Sequence, residues 1–314
     1  MKGKIMAVDF HAHWFPPQLV KEFDRVANKP VWPEHPSTIE GRVAELEEDN
    51  VGLQIIGLGH NQPYVEDADA ARQCTKFAND LYADAVGVGG GRLAVFGAIP
   101  LPHPEPAAAE AIRCLDELGF AGIGLGTTAL GQSLDDPAFE EVWSELDLRS
   151  AVVFVHPVGT PETVSAGLGE FMMGPKYGGP QEITISATRL AVSGVPQRHP
   201  NIKWVMAAMG GSLPYLWRRF EEITQCLEQD DWLANDPAQQ LGRYYYDTAL
   251  SDDPRVIQFF LDTIGVERLV LGTDAPRVRT GDWIARVNKV PGLTGDALEA
   301  VMSGNAASLG LGHS

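Results

Sequence analysis

Cysteine is scarce. The chain has three in 314 residues, Cys74, Cys114 and Cys226, far apart and with no Cys-x-x-Cys pair to hold zinc or run redox exchange. A reducing compartment is the natural setting. Positive charge is also short: 24 Lys and Arg stand against 42 Asp and Glu, a formal charge of −18. Nucleic acid is bound largely by Lys and Arg neutralising phosphates, so a nucleic-acid partner is not expected, nor is an anionic membrane surface. The opening MKGKIMAVDF has only a brief apolar run before Asp9, too short for a secretory core or a membrane span. The expectation is a soluble cytoplasmic protein. Repeats and low-complexity tracts are absent, and with 44% hydrophobic residues the composition is that of a globular chain.

What is present recurs from end to end. Eight short apolar runs bounded by Gly, Pro or Asn stand at Ile5–Phe10, Leu53–Leu58, Leu93–Ile99, Ala121–Leu125, Ala151–Val155, Lys203–Ala207, Tyr244–Asp247 and Leu269–Leu271. Most are almost continuously hydrophobic, the mark of parallel strands covered by helices on the outside and packed within. Helical spacing lies between them, as in Gly41–Asn50 and in the alanine-rich Glu105–Leu118, closed by Gly119. Strand then helix, eight times, predicts a single α/β domain over 1–314, a (β/α)8 TIM barrel. The rival is a doubly wound sheet, which needs G-x-G-x-x-G after its first strand. Asp9-Phe10-His11-Ala12-His13 stands there instead, and Gly122-Ile123-Gly124-Leu125-Gly126 lies inside a strand, where glycines ease packing. One connection is unusually long. Residues 157–180, after the fifth strand, are rich in Gly and carry Phe171, Met172, Met173 and Tyr177; they are expected to form an active-site lid. Glu228–Gln240 reads as a surface excursion.

His11 and His13 are two apart on a predicted strand, so their side chains share a face. His156 closes Ala-Val-Val-Phe-Val-His-Pro, and Asp274 closes Arg-Leu-Val-Leu-Gly-Thr-Asp. Barrel enzymes gather their chemistry at the C-terminal ends of strands. Three imidazoles and a carboxylate there are the ligand types of a catalytic zinc or similar ion, and without a cation such a polar cluster is costly to bury. A divalent ion lowers the pKa of bound water toward about 7. Asp274 is a candidate ligand and base; capping the next helix is its other possible task. Trp14 and Phe15 follow the histidines directly and are expected to wall the pocket or join the core. His60, His103, His199 and His313 read as solvated bystanders.

These residues fall in a recognisable order. Asp9-Phe10-His11-Ala12-His13, Glu117-Leu118-Gly119-Phe120-Ala121-Gly122, Phe154-Val155-His156-Pro157, Gly210-Gly211-Ser212-Leu213-Pro214-Tyr215, Tyr246-Asp247-Thr248-Ala249-Leu250, Leu271-Gly272-Thr273-Asp274-Ala275-Pro276 and Gly304-Asn305-Ala306-Ala307 resemble the amidohydrolase superfamily. Within it they resemble the branch typified by 2-amino-3-carboxymuconate 6-semialdehyde decarboxylase. The resemblance implies a (β/α)8 barrel and one divalent ion, zinc before manganese, on His11, His13, His156 and Asp274. It also implies non-oxidative loss of carbon dioxide from a small aromatic or unsaturated carboxylic acid, and a homodimer. Hydrolysis or hydration by the same metal site is the alternative, and metal-dependent ligand binding without turnover a second. No lysine ends the fourth strand, where Leu125-Gly126-Thr127-Thr128 stands, so a mononuclear site is expected. By the same resemblance Arg42 would grip a substrate carboxylate and Arg219 would reach a neighbouring subunit's site. A surface ion pair is the other reading of each.

One departure stands out. The branch ends its sixth strand with an acid/base histidine ahead of a glycine pair; here the matching residue of Ala207-Ala208-Met209-Gly210-Gly211 is Ala208. Loss of a positioned acid/base group lowers rates by about 10²–10⁴-fold. The chain would then be an inactivated variant, a subgroup using Asp274 or another base, or a non-catalytic descendant. The otherwise intact ligand set favours the first.

Overall fold

The computed structural model describes residues 6–27, 38–159, 173–223, 226, 234–249, 251 and 253–312. Eight parallel strands form one sheet in chain order: β1 (Ala7–His13), β2 (Val51–Gly57), β3 (Leu93–Gly97), β4 (Gly122–Gly126), β5 (Val152–His156), β6 (Lys203–Met206), β7 (Tyr245–Asp247) and β8 (Leu269–Val270). The circle closes through β1. Phe10 N–H donates to the Leu271 carbonyl (2.8 Å), Asp274 N–H to that of His11 (2.8 Å) and His13 N–H to that of Ala275 (2.7 Å). Every predicted run overlaps one of these strands, although Ile5 lies outside the described residues. The first run was placed too short: β1 continues to His13 because the segment after β8 supplies partners along its free edge.

Helices follow each strand: α1 (Pro17–Ala27) and α2 (Ile39–Glu48) after β1, α3 (Ala68–Val88) after β2, α4 (Pro104–Ile112) after β3, α5 (Glu140–Leu148) after β4 and α6 (Gly179–Val192) after β5. Then come α7 (Leu213–Glu221) and α8 (Pro237–Arg243) after β6, α9 (Pro254–Thr263) after β7 and α10 (Thr280–Val287) after β8. The Thr38 hydroxyl caps α2 by accepting from Gly41 N–H at 3.1 Å. The alanine-rich helix α4 runs into a wider turn at Arg113–Glu117, and Gly119 takes a positive φ of 64° just beyond it, as its position predicts. A small hairpin, Thr128–Ala129 against Gln132–Ser133, was not anticipated. Its turn residues Leu130 and Gly131 both have positive φ, the geometry that suits a two-residue hairpin.

The expected surface excursion is corrected in part: Pro237–Arg243 is helical with Pro237, Gln240 and Leu241 buried, while residues 228–233 lie outside the described residues. Of the segment 157–180, residues 160–172, including Phe171 and Met172, are likewise outside them. Gly174–Gly178 forms a single wide helical turn leading into α6. The Glu182 carboxylate accepts from Thr127 Oγ1 and from the N–H groups of Val158 and Gly159 at 3.0–3.1 Å, tying the exit of β5 to that of β4.

The glycines of β4 serve packing. A Cβ on Gly122 would overlap the backbone carbonyl of Val152 on β5, whereas one on Gly87, in α3, would meet nothing within 4 Å. Gly122→Ala is expected to destabilise the fold by about 1–3 kcal/mol through overpacking. Gly87→Ala is expected to stabilise it by up to about 1 kcal/mol, the usual cost of glycine in a helix. Thermal unfolding midpoints should therefore move in opposite directions, and a shared direction would contradict this packing.

Candidate metal centre

Three imidazoles are each anchored at Nδ1. His11 Nδ1 is 2.6 Å from Asp247 Oδ2, His13 Nδ1 is 3.1 Å from the Gly57 carbonyl and His156 Nδ1 is 2.7 Å from the Pro157 carbonyl. A carbonyl oxygen only accepts, so the Nδ1 atoms of His13 and His156 carry the proton. The Asp247 carboxylate imposes the same tautomer on His11; its other oxygen accepts from the N–H groups of Ala208 (2.8 Å) and Ala249 (3.0 Å). All three Nε2 lone pairs are thereby left for the inside.

There they converge. His11 Nε2 and His13 Nε2 are 3.1 Å apart, and Asp274 Oδ1 is 3.4 Å from the first and 3.3 Å from the second. The His156 ring lies 4.9 Å, centroid to centroid, from both other imidazoles, and one ligand atom from each of the four residues falls within a 4.8 Å span. With metal–ligand arms of about 2.1 Å, neighbouring ligands are about 3.0 Å apart in an octahedron and about 3.4 Å apart in a tetrahedron. The separations at His11, His13 and Asp274 fit that range. Lone pairs and a carboxylate at such distances repel one another unless a cation sits among them.

The local electrostatics agree. Burial and the neighbouring imidazoles of His11 and His13 hold His156 well below the usual histidine range, so its lone pair stays available. Burial pushes the Asp274 carboxyl up, but in the metal-free site the His13 and His11 imidazoles, when protonated, outweigh it and hold Asp274 below the ordinary carboxylate range. Burial alone would lower His11; the adjacent Asp247 carboxylate raises it instead.

The backbone carrying His11 and His13 is held by a buried polar network. Asp9 accepts from His11 N–H (3.1 Å), Thr273 N–H (3.0 Å), the Thr273 hydroxyl (2.7 Å) and Gln54 Nε2 (2.8 Å). Arg42 completes it, donating to Gln54 Oε1 at 2.7 Å and to the His13 carbonyl at 2.6 Å. Its side chain is buried, and two guanidinium nitrogens serve the protein itself, so Arg42 positions the histidine arm. Trp14 takes the core alternative. It packs in the core against Tyr82, whose hydroxyl donates to the Trp14 carbonyl. Phe15 stacks on His13 at 5.7 Å with an 11° tilt and so covers one flank of the cluster.

Asp274 caps no helix, since α10 begins at Thr280. It sits in the segment closing the barrel, with φ +60°, its outer oxygen 3.2 Å from Arg277. Ala208 lies two residues past the end of β6 with φ +55°, pinned by its N–H to Asp247. Arg219 is exposed on α7. Among the expected bystanders, His103 contacts the Val65 carbonyl at 2.9 Å, and His199 is buried 2.8 Å from Glu140; neither is simply solvated. His313 lies outside the described residues. His60 is no bystander either: its ring is 6.2 Å from that of His156 and 6.3 Å from that of His13. Sequence reasoning missed Asp247, Asp9, Arg277 and His60 as parts of this neighbourhood. Asp247 did carry a signal, because it closes a strand as His156 does.

The family model described as Amidohydrolase matches residues 8–309. A 2-amino-3-carboxymuconate-6-semialdehyde decarboxylase from Dictyostelium discoideum is 28% identical over 241 residues, covering 75% of this chain and 66% of that protein. Among solved structures, the 5-carboxyvanillate decarboxylase of Sphingomonas paucimobilis superposes with a TM-score of 0.85 at 20% identity, covering 98% of this chain and 99% of that one. A dihydroxybenzoic acid decarboxylase of Polaromonas sp. JS666, solved with manganese and the inhibitor 2-nitroresorcinol, gives a TM-score of 0.82 at 21% identity, with 98% and 97% covered. At these identities the structural likenesses speak to the fold.

Two substitutions test the anchoring. A Cβ on Gly59, whose φ is +51°, would run into the His13 imidazole, so Gly59→Ala should push that ring off the cluster. Asp247→Asn replaces the charged partner of His11. Partners behind a ligand typically contribute 10–100-fold to metal affinity; each variant should lose affinity in about that range when zinc is titrated against a competing chelator. Unchanged affinity in both would contradict the anchoring.

Proposed function

The chain belongs to the amidohydrolase family, and from that premise we propose that it is a mononuclear, divalent-metal-dependent decarboxylase for a small aromatic or unsaturated carboxylic acid. The observation that carries this reading is the convergence of His11, His13, His156 and Asp274, one ligand atom of each within a 4.8 Å span, with every imidazole Nδ1 committed elsewhere. His11, His13, His156 and Asp274 are the proposed ligands. Zinc is the proposed native ion and manganese the alternative, the ion held by the similar Polaromonas structure. Such an ion supplies Lewis-acid stabilisation of charge developing on the substrate's oxygens. One ion suffices: β4 ends at Gly126, which has no side chain to bridge a second.

The protein groups divide the remaining work. Asp9, Gln54 and Arg42 fix the two-histidine arm, and Phe15 keeps water from one flank. Arg277, held beside Asp274 and partly exposed, is a cation at the mouth suited to draw in an anionic acid despite the net charge of −18. Residues 157–180 serve as the proposed lid. Assembly as a homodimer gives the exposed Arg219 its role toward a second copy, and the cytoplasm is the proposed location; no described helix is long and apolar enough to cross a membrane.

Ala208 sets the level of activity. A methyl group cannot move a proton, so the chain as written lacks the carrier expected at the end of β6, and its turnover is limited to what another group provides. His60, whose ring faces His13 and His156, is the candidate for that residual role. The hydrolase or hydratase reading uses the same ligands and differs in outcome: it incorporates water into the product and releases no carbon dioxide.

Zinc- or manganese-loaded Ala208→His should release carbon dioxide from dihydroxybenzoates or muconate-like acids about 10²–10⁴-fold faster than the chain as written, the usual worth of a positioned acid/base group. Chelation should abolish the release. Equal rates with and without the histidine would refute the inactivated-enzyme reading. Water incorporation without carbon dioxide would favour the hydrolase, and tight binding of the acid with no product in either protein would favour the non-catalytic reading.

A further inference from the structure

A second polar cavity, of about 180 Å³, lies at the other end of the barrel. The metal cluster is built at strand exits, whereas this cavity is lined by the entrances of β6 and β7 and the turn before β8, through Lys203, Trp204, Arg243, Tyr244, Tyr245 and Arg268. A cavity of that size has room for several waters.

Its charge is unusual for this chain. Lys203 Nζ donates to the Leu309 carbonyl (3.2 Å), Arg243 to the Pro200 carbonyl (3.0 Å) and Arg268 to the Arg243 carbonyl (3.3 Å), with the Arg268 guanidinium 5.2 Å over the Tyr245 ring. Among the described residues no carboxylate pairs with any of the three. Arg113, Arg149, Arg189, Arg198 and Arg279, by contrast, each sit on an Asp or Glu, as expected in a protein of net charge −18. Behind the lining, the Trp204 indole N–H and the Tyr244 hydroxyl are buried without a hydrogen-bond partner. Buried donors of this kind are seldom left unmet and ask for a water or ion.

We propose that this cavity is a binding site for a phosphate-sized oxyanion, separate from the metal centre and independent of the decarboxylase reading. Lys203, Arg243 and Arg268 supply the charge, the arginines offering the planar donor forks that suit phosphate oxygens. A bound oxyanion ties the loops leading into β6, β7 and β8 together and stabilises the barrel by linkage.

Inorganic phosphate titrated into the metal-loaded full-length protein tests this, with sodium chloride at matched ionic strength as control. Saturable phosphate binding and a rise in thermal midpoint beyond that given by chloride are expected. In the Arg243→Gln/Arg268→Gln protein the affinity of this site should fall at least tenfold, while phosphate bound at the metal centre remains common to both proteins. The single Arg243→Gln change, at an exposed position, provides a variant with little risk to folding and should weaken binding severalfold. Phosphate affinity unchanged in both variants, or a midpoint shift that chloride reproduces in full, overturns the proposal.

Discussion

Everything at the catalytic end of this barrel depends on where three imidazole protons go. Each Nδ1–H is spent on an acceptor behind its ring, Asp247, the Gly57 carbonyl or the Pro157 carbonyl, so every Nε2 must face the others and Asp274. A cation is what makes that arrangement tolerable in a buried site. The anchors come from β2, β7 and the residue after β5 while the rings come from β1 and β5, so closing the barrel is what assembles the cluster.

The surroundings are organised to keep that geometry rigid. Asp9 and Arg42 grip the backbone on either side of Ala12, so neither histidine can rotate away without breaking buried, charge-assisted hydrogen bonds. Backbone strain gathers at the same rim: Ala208, Met209 and Asp274 all adopt positive φ. Sparsely populated conformations persist where surrounding contacts dictate them, commonly at functional sites. At Ala208 the dictating contact is its N–H to Asp247, which in turn holds His11. The position that lacks an acid/base side chain is therefore still wired to the metal arm through its backbone.

The barrel was legible because its strands are short and almost uniformly apolar, a pattern that few other architectures produce. His11, His13, His156 and Asp274 were legible because each interrupts or ends such a run with a polar group that a core would not otherwise accept. The protein partners of Arg42 were not legible, because Gln54 lies twelve residues on and only the fold brings the His13 carbonyl within reach. His60 was invisible for a related reason, since its short turn after β2 carries no periodicity to show that it faces His13. Asp247 sat in plain view at a strand end, but its contact with His11 spans 236 residues.

The most direct measurement is anomalous X-ray scattering at the zinc edge from crystals of the zinc-loaded protein. The account predicts a single strong peak about 2.0–2.1 Å from the Nε2 atoms of His11, His13 and His156 and at a similar distance from Asp274. A peak coordinated by other residues, or none above the noise in protein that zinc has saturated, would contradict it.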